Sequence, residues 1–144
     1  MNTVPKLHGF PNSPHEVIVA FIDAMNAWEI SCVERARKLR GTDSTEALWG
    51  PFREELLSIH ALYLTSRKRV YAEQVTFQKP PKYDSSKESV ISSSIEGKTA
   101  VVQTRRVMLL GGGRYEYKLK LIDSFWKIDT VKRLVNDQWK PHIL

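Results

Sequence analysis

The sequence predicts an α+β domain in which a long N-terminal helix and shorter helices lie across one face of a curved antiparallel sheet, and three observations carry that prediction. The apolar residues recur at helical spacing before Arg67 and shift toward a period of two beyond it. The strand-like segments are joined by turns short enough for antiparallel hairpins. A chain of 144 residues, 42% hydrophobic and 26% charged, can also bury one core without a metal or a disulfide, so a single domain over the whole chain is expected, with residues 1–13 as an irregular arm.

The elements follow in order. Ser13-Pro14-His15-Glu16 supplies an N-cap, a proline for the first helical position and a capping-box glutamate, so a helix should run from 14 to about 39. Val17, Ile18, Phe21, Ile22, Met25, Trp28 and Cys32 form its apolar stripe. Gly41-Thr42-Asp43-Ser44 should end it. Residues 46–49 and 51–64 then read as one or two shorter helices separated by Gly50-Pro51, with Leu48, Phe52, Leu56, Ile59 and Leu62 inward. Strands are expected at 71–77, 89–96, 99–110, 115–122 and 125–130. Glu96-Gly97-Lys98, Gly111-Gly112-Gly113 and Asp123-Ser124 join the later ones as hairpins. Tyr115, Tyr117, Leu119 and Leu121 alternate with Glu116, Lys118 and Lys120, which gives one buried face and one wet face. Helices first and strands afterwards place the helices on the buried face. A bent sheet wrapped round a long helix makes a cone with a pocket at its open end. Trp28 and Trp126 are expected inside it as structural residues.

Composition narrows the chemistry. Cys32 is the sole cysteine, sits in a helical run and reads as a small buried hydrophobe. The N-terminus lacks the basic start and long apolar stretch of a signal peptide, and the run from Val17 to Ile22 is broken by Asp23, so a cytoplasmic protein with no membrane span is expected. A net charge of +6 raises the question of nucleic acid, but the cations are scattered, and the densest cluster, Arg67-Lys68-Arg69, is short. Phosphate-binding glycine loops, dinucleotide fingerprints, paired cysteines and the His-Glu-x-x-His metal motif are all missing, and His8, His15, His60 and His142 do not fall at ligand spacing. No cofactor and no metal are expected. The three consecutive glycines lie between strands, away from any helix N-terminus, and read as a hairpin tip.

Two sets of residues remain as candidates. Gln103, Arg105, Tyr115, Tyr117 and Asp129 would line the pocket of the cone, where an acid, a base and tyrosine hydroxyls suit an isomerase, dehydratase or hydrolase. Read more simply, the tyrosines are core residues with polar tips, and Arg105 pairs with a carboxylate across the sheet. The second set is a partner-binding surface. The loop carrying Tyr83 and the wet sheet face carrying Arg114, Glu116, Lys118 and Lys120, with Arg106 from the neighbouring strand, combine a tyrosine with cations as interface centres do.

Several segments, in order, carry a resemblance. Met25-Asn26-Ala27-Trp28-Glu29, the stretch from Tyr63 through Arg67-Lys68-Arg69 to Tyr71, Pro80-Pro81-Lys82-Tyr83-Asp84, Tyr115-Glu116-Tyr117-Lys118-Leu119 with Phe125-Trp126-Lys127-Ile128-Asp129, and Asp137-Gln138-Trp139 before Leu144 resemble the nuclear transport factor 2 fold immunity proteins of bacterial polymorphic toxin systems. The resemblance runs from Pro14 onward. It departs at Phe125, where relatives often have glycine, at Tyr63-Leu64-Thr65, which lacks their cysteine, and after the basic cluster, where their glycine is missing. It implies a cone-shaped nuclear transport factor 2-like fold and a cytoplasmic antidote that binds the toxin encoded beside it, without catalysis. The positive charge adds the expectation that the toxin presents acidic surface. An open outer sheet face leaves room for a homodimer.

Overall fold

The computed structural model describes residues 11–39, 49–67, 69, 80–108, 112–142 and 144. Within them the chain forms α1 (Pro14–Lys38), α2 (Trp49–Tyr63), β1 (Glu88–Glu96), β2 (Thr99–Arg106), β3 (Gly113–Ile122), β4 (Phe125–Val135) and β5 (Gln138–His142). The expected strand at 71–77, the helix-ending residues 41–44, Leu48, Leu110 and Gly111 lie outside the described residues.

The start of α1 is set by its cap. Ser13 is extended, its hydroxyl accepts from the Glu16 amide at 3.2 Å and donates to the Glu16 carboxylate at 2.8 Å, and Pro14 stands where no amide hydrogen is needed. Arg35, Arg37 and Lys38 occupy the last turn, where positive charge favours the negative end of the helix dipole, and the Leu39 amide caps the Ala36 and Arg37 carbonyls. The predicted stripe from Val17 to Cys32 is buried throughout, and Glu29 is buried with it.

Against expectation, Gly50 and Pro51 lie within the first turn of α2. Proline is tolerated there because the first helical amides have no intrahelical acceptor. Leu62 is also corrected: it is 51% exposed, and His60 is buried instead. His60 stands one turn beyond Leu56 and two beyond Phe52, on the stripe that faces α1, whereas two further residues carry Leu62 round to the side. The helices are tied by Trp28 Nε1 donating to the Phe52 carbonyl at 3.1 Å and by Arg35, which grips Glu55 with two bonds of 2.9 and 2.6 Å and stacks over the Phe52 ring.

The sheet is an antiparallel meander in the order β1-β2-β3-β4-β5. Pairing Ala100 with Leu119, Val102 with Tyr117 and Leu119 with Ile128 puts these side chains on one face, which packs on the helices. The register slips between Val90 and Ser92 and between Lys118 and Leu119, so Ile91 and Asp129 are bulge residues that bend the sheet. Asp123 and Ser124 both have positive φ, as do Asn136 and Asp137, the backbone of a two-residue hairpin turn that matches strand twist. β4 runs on to Val135 and returns as β5, a hairpin the sequence reading did not anticipate. The other half of the β4 edge is taken by the chain leaving α2: Leu64 bridges Ile128, and the Thr65 amide donates to the Ile128 carbonyl at 2.8 Å. At Gly112 a Cβ atom would lie 2.8 Å from the Met108 carbonyl oxygen, so the approach to β3 requires glycine.

Candidate functional site

Parity along the strands assigns each candidate to a face. Arg105 lies opposite Arg114, Gln103 opposite Glu116, Val101 opposite Lys118 and Thr99 opposite Lys120, all on the outer face, which Lys132 joins opposite Glu116. Arg105, Arg114, Lys118, Lys120 and Lys132 are exposed. Glu116 is spent on Gln103 at 3.0 Å, and Gln103 in turn accepts from Arg114 at 3.0 Å. Among the described residues only Lys120 of these five cations makes an ion pair, with Asp129 at 3.6 Å. Arg114, Glu116, Lys118 and Lys120 therefore stand where the sequence placed them. Gln103 and Arg105 do not line a pocket; they belong to this outer surface.

Asp129 is also moved from the pocket. As the bulge residue of β4 it turns its carboxylate to the sheet edge, where it accepts from the Thr65 hydroxyl at 2.7 Å and meets Arg67 at 3.4 Å and Lys120 at 3.6 Å. Arg69 donates to its backbone carbonyl at 3.1 Å. Burial would raise this carboxyl, but the Thr65 hydroxyl and the cations Lys120, Arg67 and Arg69 hold it below the usual carboxylate range. Ionised and fully engaged, it fastens the post-α2 segment to the sheet.

The opposite face carries a polar cluster at the end where β1 begins and β2 finishes. Glu88 accepts from the Thr104 hydroxyl at 2.6 Å, from Arg106 Nε at 2.8 Å and from the Tyr117 hydroxyl at 2.8 Å. Arg106 and Tyr83, both expected at the exposed partner surface, are each only 4% exposed. Arg106 shares the parity of Ala100 and Val102, which turns it inward, and its charge is met by Glu88 and by the ring of Tyr115 at 4.1 Å. Tyr83 is drawn in because its amide and that of Lys82 donate to the Glu29 carboxylate at 3.0 and 3.1 Å, while Asn26 holds its carbonyl. Its ring then packs edge-on against Phe21 at 5.5 Å. Tyr115 and Tyr117 are inward as expected, and burial raises the hydroxyls of Tyr83 and Tyr117 above the ordinary range.

Sequence reasoning missed Glu88, Lys82, Arg133 and His142 in this cluster. The parity of Arg106 was legible from Ala100 and Val102; the convergence of β1, β4, β5 and the loop at 82–83 was not. Cys32 is buried as expected, and desolvation pushes its thiol up to about 12, which removes it as a nucleophile. No cluster of metal-ligating side chains occurs among the described residues, and no helix among them is long and apolar enough to cross a membrane.

Comparison with known proteins agrees with this architecture. No curated protein and no solved structure matches the chain. The family model of the NTF2 fold immunity proteins matches residues 13–142, which takes in the two helices and five strands formed by the described residues. With two helices on a curved five-stranded antiparallel sheet and that match over most of its length, the chain belongs to the NTF2 fold immunity protein family.

Proposed function

We propose that this protein neutralises a cognate bacterial toxin domain by occlusion, in the cytoplasm of the cell that makes it, and that it takes an acidic surface of the toxin on the outer face of its sheet. The observation that carries the reading is the direct cross-strand opposition of Arg105 and Arg114 on a face whose cations are mostly without ion pairs among the described residues. Like charges held opposite one another weaken a sheet, and an acidic partner relieves that repulsion on binding. The face is rigid because both edges of β3 are paired, so little order has to be gained when the partner arrives. A cationic surface is also the reverse of a phosphate mimic; it blocks a toxin by covering it, whatever the toxin's substrate.

The arrangement of Glu88 weighs against a pocket enzyme. Both of its oxygens are occupied by donors and its side chain is wholly removed from solvent, which leaves it no free position from which to take a substrate proton. Asp129, the other carboxylate considered, faces away from the tyrosines. Survival of cells expressing the toxin encoded beside this protein, with and without it, tests the function. Protection is expected, and toxin-dependent killing that this protein does not reduce would refute the assignment.

A further inference from the structure

We propose that Lys82, Arg133 and His142, gathered beside the Tyr115 ring on the concave side of the sheet, form a binding site for a single carboxylate group. The site lies on the opposite face of the sheet from Arg105, Arg114 and Lys118 and does not depend on the docking proposed for them. Three basic side chains surround one ring: Arg106 at 4.1 Å, His142 at 5.3 Å and Arg133 at 5.9 Å, while Lys82 lies 5.3 Å from the adjoining Tyr83 ring. Arg106 is committed to Glu88. The others are not fully engaged. Nε of Arg133 and Nε2 of His142 are buried with no hydrogen-bond partner, and only the other end of the Arg133 guanidinium is used, on the Gly112 carbonyl at 2.6 Å. The Lys82 ammonium lies over the Tyr83 ring and feels Glu29 and Glu88 at a distance, with no hydrogen bond or ion pair of its own among the described residues; its amide is the part that binds Glu29.

Buried donors left without acceptors are costly, so a cluster of them marks a place where an acceptor belongs. Charge agrees with geometry. Lys82, Arg106 and Arg133 face Glu88 and Glu29, an excess of one cation with His142 neutral. Burial first, then the cations of Lys82, Arg106 and Arg133, depress His142 to about 4, so the imidazole is uncharged near neutral pH. One carboxylate balances the excess and accepts from Arg133, Lys82 and, with the imidazole hydrogen on Nε2, His142. Lys82, Arg133 and His142 are each half-buried, so the cluster borders solvent, with the two unpaired nitrogens just beneath its surface. The same chemistry is offered by a free small carboxylate or by an acidic side chain of the toxin.

The test is a titration of the whole protein with acetate, followed by nuclear magnetic resonance of the His142 ring, against chloride at equal ionic strength. A saturable change is expected, with the pKa of His142 rising by about one pH unit as the anion settles beside it. Lys82→Met should weaken acetate at least tenfold, and Arg133→Leu serves as the independent variant should the first not fold. Adding the cognate toxin separates the sources: displacement of acetate assigns the carboxylate to the toxin, and retention in the complex assigns it to a free ligand. A His142 response no greater than that to chloride, or one unchanged in a folded Lys82→Met protein, overturns the site.

Discussion

His60 shows how a buried residue couples folding to pH. It lies on the inward stripe of α2 with Nε2 unpaired, and burial, reinforced by Arg69, lowers it to about 4. The folded state therefore keeps the imidazole neutral, while the unfolded chain takes up a proton near the ordinary histidine value. Stability from this residue is fully present above about pH 6.5 and is lost as pH falls toward 4, on the order of 3 kcal/mol at that limit. His142 acts in the same direction. Urea denaturation between pH 7 and 4.5 should show the midpoint falling with acidification, and His60→Leu should make that fall shallower; an unaltered slope would show that His60 does not titrate this way. Glu88 follows a different logic. Its buried pair with Arg106 contributes less through attraction, which desolvation offsets, than through fixing which side chains share the inner face.

At the scale of elements, the hairpins hold the most readable information. Asp123-Ser124 and Asn136-Asp137 both adopt the left-handed conformation at two successive residues. Aspartate and asparagine accept that backbone readily, whereas serine does so at a cost and glycine at none. Ser124→Gly is therefore expected to stabilise the protein by about 1 kcal/mol, read as a higher urea midpoint with an unchanged slope. A neutral or destabilising result would mean that the Ser124 side chain is engaged in the folded state. The bulge at Asp129 is a second element-level device. It lets Ile128 and Val131 both face the core and frees a carboxylate to fasten Thr65 and the basic residues after α2 at the edge of β4.

The whole molecule divides its charge between two faces. On the inner face Glu88 ties Thr104, Arg106 and Tyr117 together by hydrogen bonds, whereas the outer face keeps its cations exposed, where under the proposed docking mode they act over distance on an acidic partner. Replacing Arg105 and Lys118 together by glutamate should leave the fold within about 0.5 kcal/mol per site, because both are exposed and Arg105→Glu sets a carboxylate opposite Arg114. Lys120 is avoided because it holds Asp129. Affinity for the cognate toxin is expected to fall at least tenfold, mostly through slower association, and its salt dependence should flatten. Unchanged affinity and unchanged salt dependence would place the docking surface elsewhere.

The sequence by itself determined the elements whose causes are local. The cap at Ser13, the stripe of α1, the alternation in β3 and the turn at Asp123-Ser124 depend on neighbours within a few residues, and each lies where it was expected. The family was legible for the same reason, since ordered local segments carry it. What depends on register or on distant partners was not. Arg106 was expected at the partner surface and Arg105 in the pocket; the parity of Ala100 and Val102, itself legible, assigns them the other way once these two are known to face the helices. Tyr83 became a core residue only through Glu29 and Asn26, more than fifty positions earlier, and Asp129 left the pocket only because one extra residue slips β4 past β3. Periodicity fixes which residues can share a face; only the packed chain, where a buried carboxylate must find donors and a bulge shifts every later side chain, decides which residues meet there.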